Sequence, residues 1–323
     1  ETGVTQARYQ LLESNGALSC EFDTGSFAEV GGLENLKRWI RLRRNVFLQP
    51  DNTLDMPRGI LLVGVQGGGK SLAAKAVAGM WSVPLLRFDF GTLFNKFHGE
   101  TERNLREALR AAEAMAPCVL WIDEIEKAVA SGDHDGGTSR RLLATLLTWM
   151  AERTAAVFIV ATANAIEQLP PELIRKGRMD EIFFIDLPDA ATRAEIFAIH
   201  LRKREHKPLD FDLMALTGIT DGFSGAEIEQ SIVAATYLAR EQGVSLNTAH
   251  LRSEIEQTRP LSRVMAEQMT RLRNWARDRT VSANCASATD IHSACSTCRD
   301  NPGVWTPADT PPRDTFILLF LFY

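Results

Sequence analysis

The chain has 323 residues, of which 45% are hydrophobic and 24% charged, with 36 Lys and Arg against 41 Asp and Glu. Those averages exclude wholesale disorder, a coiled-coil rod and a collagen-like fibre, and the length suits about two domains. A net charge of -5 argues against a dedicated nucleic-acid binder, which carries a basic excess.

The first block, 1–23, is weakly patterned. After Gly31-Gly32, apolar residues at Leu33, Leu36, Ile40 and Val46 predict a helix over Leu33 to Arg44. Five short apolar runs follow, Ile60–Val63, Pro84–Phe90, Cys118–Ile122, Val157–Ala161 and Ile182–Ile185. The first, third and fourth are almost continuously apolar, as strands covered on both faces are. Between the second and third, Leu105, Ala108, Leu109 and Ala112 mark an amphipathic helix. The alternation predicts an α/β fold with a parallel sheet. Beyond Pro188 the pattern turns helical, over Thr192–Arg204, Gly225–Gln242, Ala249–Gln257 and Ala266–Arg279, with Ser224 and Glu227 spaced as a capping box. The expected organisation is an α/β domain over 24–188, a small all-helical domain over 189–280 and a tail over 281–323. The tail holds four prolines, no lysine and three of the five cysteines. No apolar run has the roughly 18–20 residues of a membrane span. No secretory leader is visible and the first residue is Glu1, so the chain reads as a fragment or processed form.

Four clusters carry chemistry. Gly64-Val65-Gln66-Gly67-Gly68-Gly69-Lys70-Ser71 matches G-x-x-x-x-G-K-[ST] between a buried-type strand and a helix beginning near Leu72. Glycines there turn backbone N–H groups onto phosphate oxygens at the positive end of a helix. Lys70 adds a charge at the β/γ phosphates and the Ser71 hydroxyl is a ligand for Mg²⁺. The strand Cys118–Ile122 ends in Asp123-Glu124, the first suited to the Mg²⁺ shell and the second to general-base activation of water. Asn164 follows the fourth run and can orient a water without adding charge. Arg175 and Arg178 flank Lys176-Gly177 and could stabilise phosphoryl-transfer charge, an effect of about 10³–10⁵ in rate.

In this order the clusters resemble the AAA family of ATPases over roughly residues 24–280, corresponding to its Walker A, Walker B, sensor-1 and arginine-finger motifs. Phe27-Ala28-Glu29-Val30-Gly31-Gly32 looks like the segment lining the adenine pocket, His200 matches the lid histidine, and Gly225-Ala226 looks like the pair that backs the base. The resemblance implies a P-loop three-layer sandwich of sheet order 5-1-4-3-2 followed by a helical lid. It implies ATP and Mg²⁺ as cofactors and a ring, usually a hexamer, in which Arg175 and Arg178 act on the neighbour's ATP. The nucleotide would touch Val30, Gly31, Gly64 to Leu72, His200, Gly225 and Ala226, with Ser71 and Asp123 on the metal and Lys70, Glu124 and Asn164 in catalysis. The stretches Ala116–Lys127, Asp135–Arg141 and Leu169–Arg178 look closest to AAA proteins of chloroplast genomes and cyanobacteria, which implies a bacterial cytosol or plastid stroma.

The family's pore-loop positions fall on Phe97, His98 and Gly99, with His98 where an apolar residue is usual. Gly68 stands where Thr is usual in the phosphate loop, and Glu181 where many members are basic. The favoured activity is Mg²⁺-dependent ATP hydrolysis coupled to remodelling a protein partner, engaged through Phe97. A nucleotide-gated scaffold that binds a partner without threading it is the alternative, and a small-molecule P-loop kinase a distant one. In the tail, Cys285, His292, Cys295 and Cys298 supply potential zinc ligands, but their irregular spacing favours free thiols.

Overall fold

The structure is a computed structural model, which describes residues 17–22, 25, 27–49, 53–94, 101–128, 138–175 and 177–285. The expected pore loop at Phe97 to Gly99 and the tail's His292, Cys295 and Cys298 lie outside these residues.

Seven strands form one sheet: β1 (Leu18–Glu21), β2 (Gly59–Gly64), β3 (Leu85–Phe88), β4 (Cys118–Ile122), β5 (Val157–Ala163), β6 (Glu181–Ile185) and β7 (Val281–Ser282). Their spatial order is β1-β3-β4-β5-β2-β6-β7. The five strands expected from the apolar runs keep the expected order 5-1-4-3-2 and pair in parallel. The sheet differs from expectation at both edges. β1 adds an antiparallel strand on β3, with Cys20 opposite Leu86, and β7 adds a parallel one on β6, with Phe183 opposite Val281. β1 (Leu-Ser-Cys-Glu) and β7 (Val-Ser) hold no apolar run, so their pairing comes from the edges they complete.

The near-continuous apolar runs divide between the two faces by alternation. In β4, Cys118, Leu120 and Ile122 enter one core cluster while Val119 and Trp121 enter the other; in β5, Ile159 and Ala161 oppose Phe158 and Val160. One face is covered by α1 (Glu34–Leu48) and α2 (Lys70–Trp81). There Trp81 stacks on Phe47 at 4.7 Å and lies 4.6 Å from Phe158, with its Nε1 donating to the Ile40 carbonyl at 3.1 Å. The short α3 (Phe90–Phe94), α4 (Thr101–Ala114) and α5 (Thr138–Glu152) follow, and Leu105, Leu109, Leu142 and Leu146 fill the second face. Leu33, expected inside the first helix, instead precedes it in the left-handed region at φ 60°.

Beyond β6 come α6 (Ala190–Lys203), α7 (Leu213–Ile219), α8 (Gly225–Glu241), α9 (Thr248–Gln257), α10 (Leu261–Val264) and α11 (Ala266–Ala276). Phe197, Leu201, Phe223, Ile228, Ile232 and Leu251 form a separate apolar cluster among them. The capping box forms at α8: Ser224 Oγ accepts from the Glu227 amide and Glu227 Oε2 accepts from the Ser224 amide at 2.7 Å. Among the described residues no helix is long and apolar enough to cross a membrane, and Cys20, Cys118 and Cys285 are free thiols.

Candidate functional site

A parallel sheet offers its loops at the carboxyl ends of its strands, and β2, β4 and β5 lie side by side, so their ends converge. The turn between β2 and α2 carries Gly67 and Gly69 at φ 74° and 95°, values that L side chains rarely adopt. Gly64 is required for a different reason: a Cβ there would lie 2.0 Å from the Ile185 carbonyl oxygen of β6. At Gly68, where Thr is usual, a Cβ would come 3.0 Å from the Val65 carbonyl oxygen and 3.3 Å from Ile185 Cγ2. The bare glycine avoids that crowding.

Lys70 opens α2 at only 7% exposure. Its ammonium donates to the carbonyls of Gly64 at 2.9 Å and Val65 at 2.8 Å. Burial lowers its pKa to about 8, against the opposing pull of Glu126, Asp123 and Glu124. It is a desolvated cation held by neutral carbonyls, a setting that favours an incoming anion.

At the end of β4, Asp123 Oδ1 accepts from Thr162 Oγ1 at 2.6 Å, and Oδ2 lies 3.5 Å from Arg87 Nη2. The same Thr162 hydroxyl accepts from the Glu124 amide at 3.0 Å. Glu124 sits at φ 51°, an uncommon conformation for a non-glycine residue. Its Oε1 accepts from Asn164 Nδ2 at 3.0 Å and its Oε2 pairs with Lys127. That hydrogen bond to Glu124 raises the Lys127 pKa. Buried Glu126 accepts from the backbone amides of Asn164 at 2.9 Å and Ala165 at 3.3 Å, which fixes the end of β5.

Lys70, Asp123, Glu124, Thr162 and Asn164 share one cavity of about 310 Å³. The phosphate-loop residues Gln66 to Leu72, Asp123, Glu124, Thr162 and Asn164 line its polar side. Val30, Gly31, Ile196, Ile199, Gly225 and Ala226 add apolar lining, and His200 and Glu229 line it too. The helical part touches the phosphate loop directly, because the Ala226 amide donates to the Gly67 carbonyl at 3.3 Å. His200 is buried, which pushes its pKa down, and its Nδ1 lies 3.3 Å from Glu229 Oε1 outside hydrogen-bonding alignment. Gly64 and Val65 do not line the cavity; their carbonyls hold Lys70.

Arg175 and Arg178 also stand outside the cavity lining. Arg175 is exposed, and Arg178 donates to the Glu172 carbonyl. Thr162, Glu126, Ile196 and Ile199 were not singled out by their sequence pattern. Thr162 carried a faint signal, as the one hydroxyl in the otherwise apolar run Val157–Ala163.

Residues 60–187 match the model of the ATPase family associated with various cellular activities (AAA). An uncharacterised AAA domain-containing protein, ycf46, of Trieres chinensis is 46% identical over 252 residues, covering 76% of this chain and 51% of the relative. The proteasome-activating nucleotidase of Aeropyrum pernix is 40% identical over 229 residues, covering 67% of this chain and 56% of the relative. The chain thus spans about half the length of the curated relatives it matches. The crystal structure of the FIGL-1 AAA domain shares the fold, with a TM-score of 0.69 and 22% identity over 85% of this chain and 96% of that one. With its phosphate loop and paired acids inside the matched region, this chain belongs to the AAA family of ATPases.

Proposed function

We propose that this chain binds ATP in the cavity beside the phosphate loop and hydrolyses it with Mg²⁺ to ADP and phosphate. In this reading it is one subunit of a ring, a hexamer, that uses the cycle to remodel a protein partner, in a bacterial cytosol or plastid stroma. The observation that carries the proposal is the single cavity lined at once by Lys70, Asp123, Glu124 and Asn164 on one side and by Ile196, Ile199, Gly225 and Ala226 on the other. A triphosphate suits the first wall and an apolar base the second.

Each residue then has a task. The amides of Gly67, Gly69, Lys70 and Ser71 and the Lys70 ammonium take the phosphates, while the Gly68 amide stays on the Val65 carbonyl. Ser71 and Asp123 are the oxygen donors for Mg²⁺, which is characteristically held by one or two carboxylates together with substrate phosphates. The Thr162 hydroxyl, which donates to Asp123, orients that carboxylate. Bound Mg²⁺ supplies neutralisation of phosphate charge. Glu124 accepts the proton of the attacking water, and Asn164 keeps the Glu124 carboxylate and that water aligned. We assign Arg175 and Arg178, which lie outside their own cavity, to the γ-phosphate of a neighbouring subunit. An α/β unit over 24–188 and a helical lid over 189–280 are the two parts whose closure nucleotide would control, and Phe97 is the proposed contact with the partner.

Steady-state ATP hydrolysis tests the assignment. Glu124→Gln should lower turnover by about 10²–10⁴ while keeping ATP binding. Lys70→Ala should lose both. Parental turnover in both variants would remove the site from the reaction.

A further inference from the structure

Helix α1 begins without a cap of its own. Its N-cap residue Leu33 is left-handed, at φ 60° and ψ 34°, and contributes no side-chain hydrogen bond. The first amides of a helix need acceptors, and here they come from about 250 residues downstream. The Asn35 and Leu36 amides donate to the Ala283 carbonyl at 3.0 and 3.2 Å. The Leu33 amide donates to Asn284 Oδ1 at 2.7 Å. Asn35 returns the clasp, its Nδ2 donating to the carbonyls of Ser282 at 3.1 Å and Asn284 at 2.8 Å.

The segment is anchored on its other side too. The Ala283 amide donates to the Phe184 carbonyl of β6 at 2.9 Å, and the fully buried Ala283 side chain joins the apolar cluster that holds Val30, Leu33 and Leu36. Val281–Asn284 is therefore wedged between the sheet edge and the start of α1. The stretch it grips continues straight into the cavity wall, since Val30 and Gly31 line the cavity. The same stretch is also held by α6. The Gly32 amide donates to Glu195 Oε2 at 3.0 Å, a Cβ on Gly31 would lie 2.9 Å from Ile196 Cγ1, and one on Gly32 would lie 3.0 Å from Asn284 Oδ1. A Cβ on Gly32 would also lie 2.8 Å from Thr192 Cγ2 of α6, so α6 and Asn284 crowd the same point beside Gly31, and a shift of the 281–284 segment moves the wall.

We infer that Val281–Asn284 is a strap that sets the Val30–Gly31 wall, and that Asn284 is a positioning residue for nucleotide affinity. The affinity part rests on the proposed ATP site; the strap part does not. In the 323-residue chain, Asn284→Ala should raise the Kd for a fluorescent adenine nucleotide and the KM for ATP by about three- to tenfold, the loss of one part-buried hydrogen bond. It should leave kcat within about twofold. Amide hydrogen exchange at Leu33, Asn35 and Leu36 should speed up in the same variant. Asn284→Asp keeps an acceptor at the helix start and should stay within about twofold of the parent. If Asn284→Ala does not fold, Asn35→Ala removes the reciprocal clasp and carries the same measurements. Unchanged Kd and unchanged exchange in the folded variant overturn the strap. A parent that fails to bind nucleotide, or that binds no better than Lys70→Ala, overturns the ATP site instead, and the exchange at Leu33–Leu36 then decides the strap by itself.

Discussion

Lys70 shows how far one residue can be argued. Its identity and spacing marked it in the sequence, but the sequence does not state its electrostatic condition. Buried against two carbonyls, its ammonium has a pKa lowered to about 8 by desolvation. The sign follows by linkage. Because the folded value lies below the unfolded one, the empty fold gains stability as pH rises from about 8 towards 10.5. Phosphates favour the charged form, so nucleotide affinity is full below about 8 and falls as pH rises through it. Titration of the Kd from about pH 7 to about 9.5 should show that fall; a flat profile would take Lys70 off the phosphates. Thr162 is the converse case. A hydroxyl inside an apolar strand has no motif, and only the β4–β5 register, with Ile122 opposite Ala161, brings it beside Asp123 and Glu124. Glu126 was likewise illegible, because an acid one turn past a strand reads as solvated until the fold buries it at the end of β5.

At the scale of elements, periodicity sufficed wherever an element was long enough to repeat. α6, α8 and α9 fall within a residue or two of their expected spans, and α4 buries the expected Leu105, Ala108, Leu109 and Ala112. The five central strands emerged instead from short, mostly apolar runs. β1, α7 and β7 did not: β1 (Leu-Ser-Cys-Glu) and β7 (Val-Ser) hold no apolar run, and seven residues of α7 carry too little period to separate from a loop. The contact that locks α2 under the sheet is aromatic and non-local. Trp81 is fully buried, stacked on Phe47 from α1 and against Phe158 from β5. Trp81→Ala should cost about 3–5 kcal/mol in denaturant unfolding, while the fraction that remains folded keeps its nucleotide affinity, because Trp81 does not line the cavity. A loss of about 1 kcal/mol or less would mean that this packing is not what holds α2.

At the scale of the whole molecule, the exposed turn with Arg175 and Arg178 is a surface whose proposed substrate lies in another copy. Mixing Arg178→Ala with Lys70→Ala tests that assignment. The first variant lacks the donated arginine and the second lacks a competent cavity, so mixed assemblies pair intact Lys70 cavities with neighbours that supply Arg178. Turnover should rise above the sum of the two variants alone, by several-fold out of an arginine contribution of about 10³–10⁵. Strict additivity at every mixing ratio would place the arginines outside a shared site. The tail also changes standing at this scale. Its composition set 281–323 apart as one piece, yet Val281–Asn284 pairs with β6 and caps α1.

What the sequence determined by itself is whatever depends on short-range order. It held no metric, but a phosphate loop between strand and helix, acids at a strand end, short apolar runs and a helical period of 3.6 are local patterns with local physical causes. They sufficed for the α/β class, the order of the five strands through the family resemblance, and most polar residues of the cavity. Tertiary structure alone decided which distant atoms satisfy one another: Thr162 between Asp123 and Glu124, Ala226 on the Gly67 carbonyl, and Asn284 on the Leu33 amide. Those contacts join residues from 38 to 251 positions apart. Their existence depends on strand register and helix placement, which arise from burial of the whole apolar surface and leave no repeat in the chain to read.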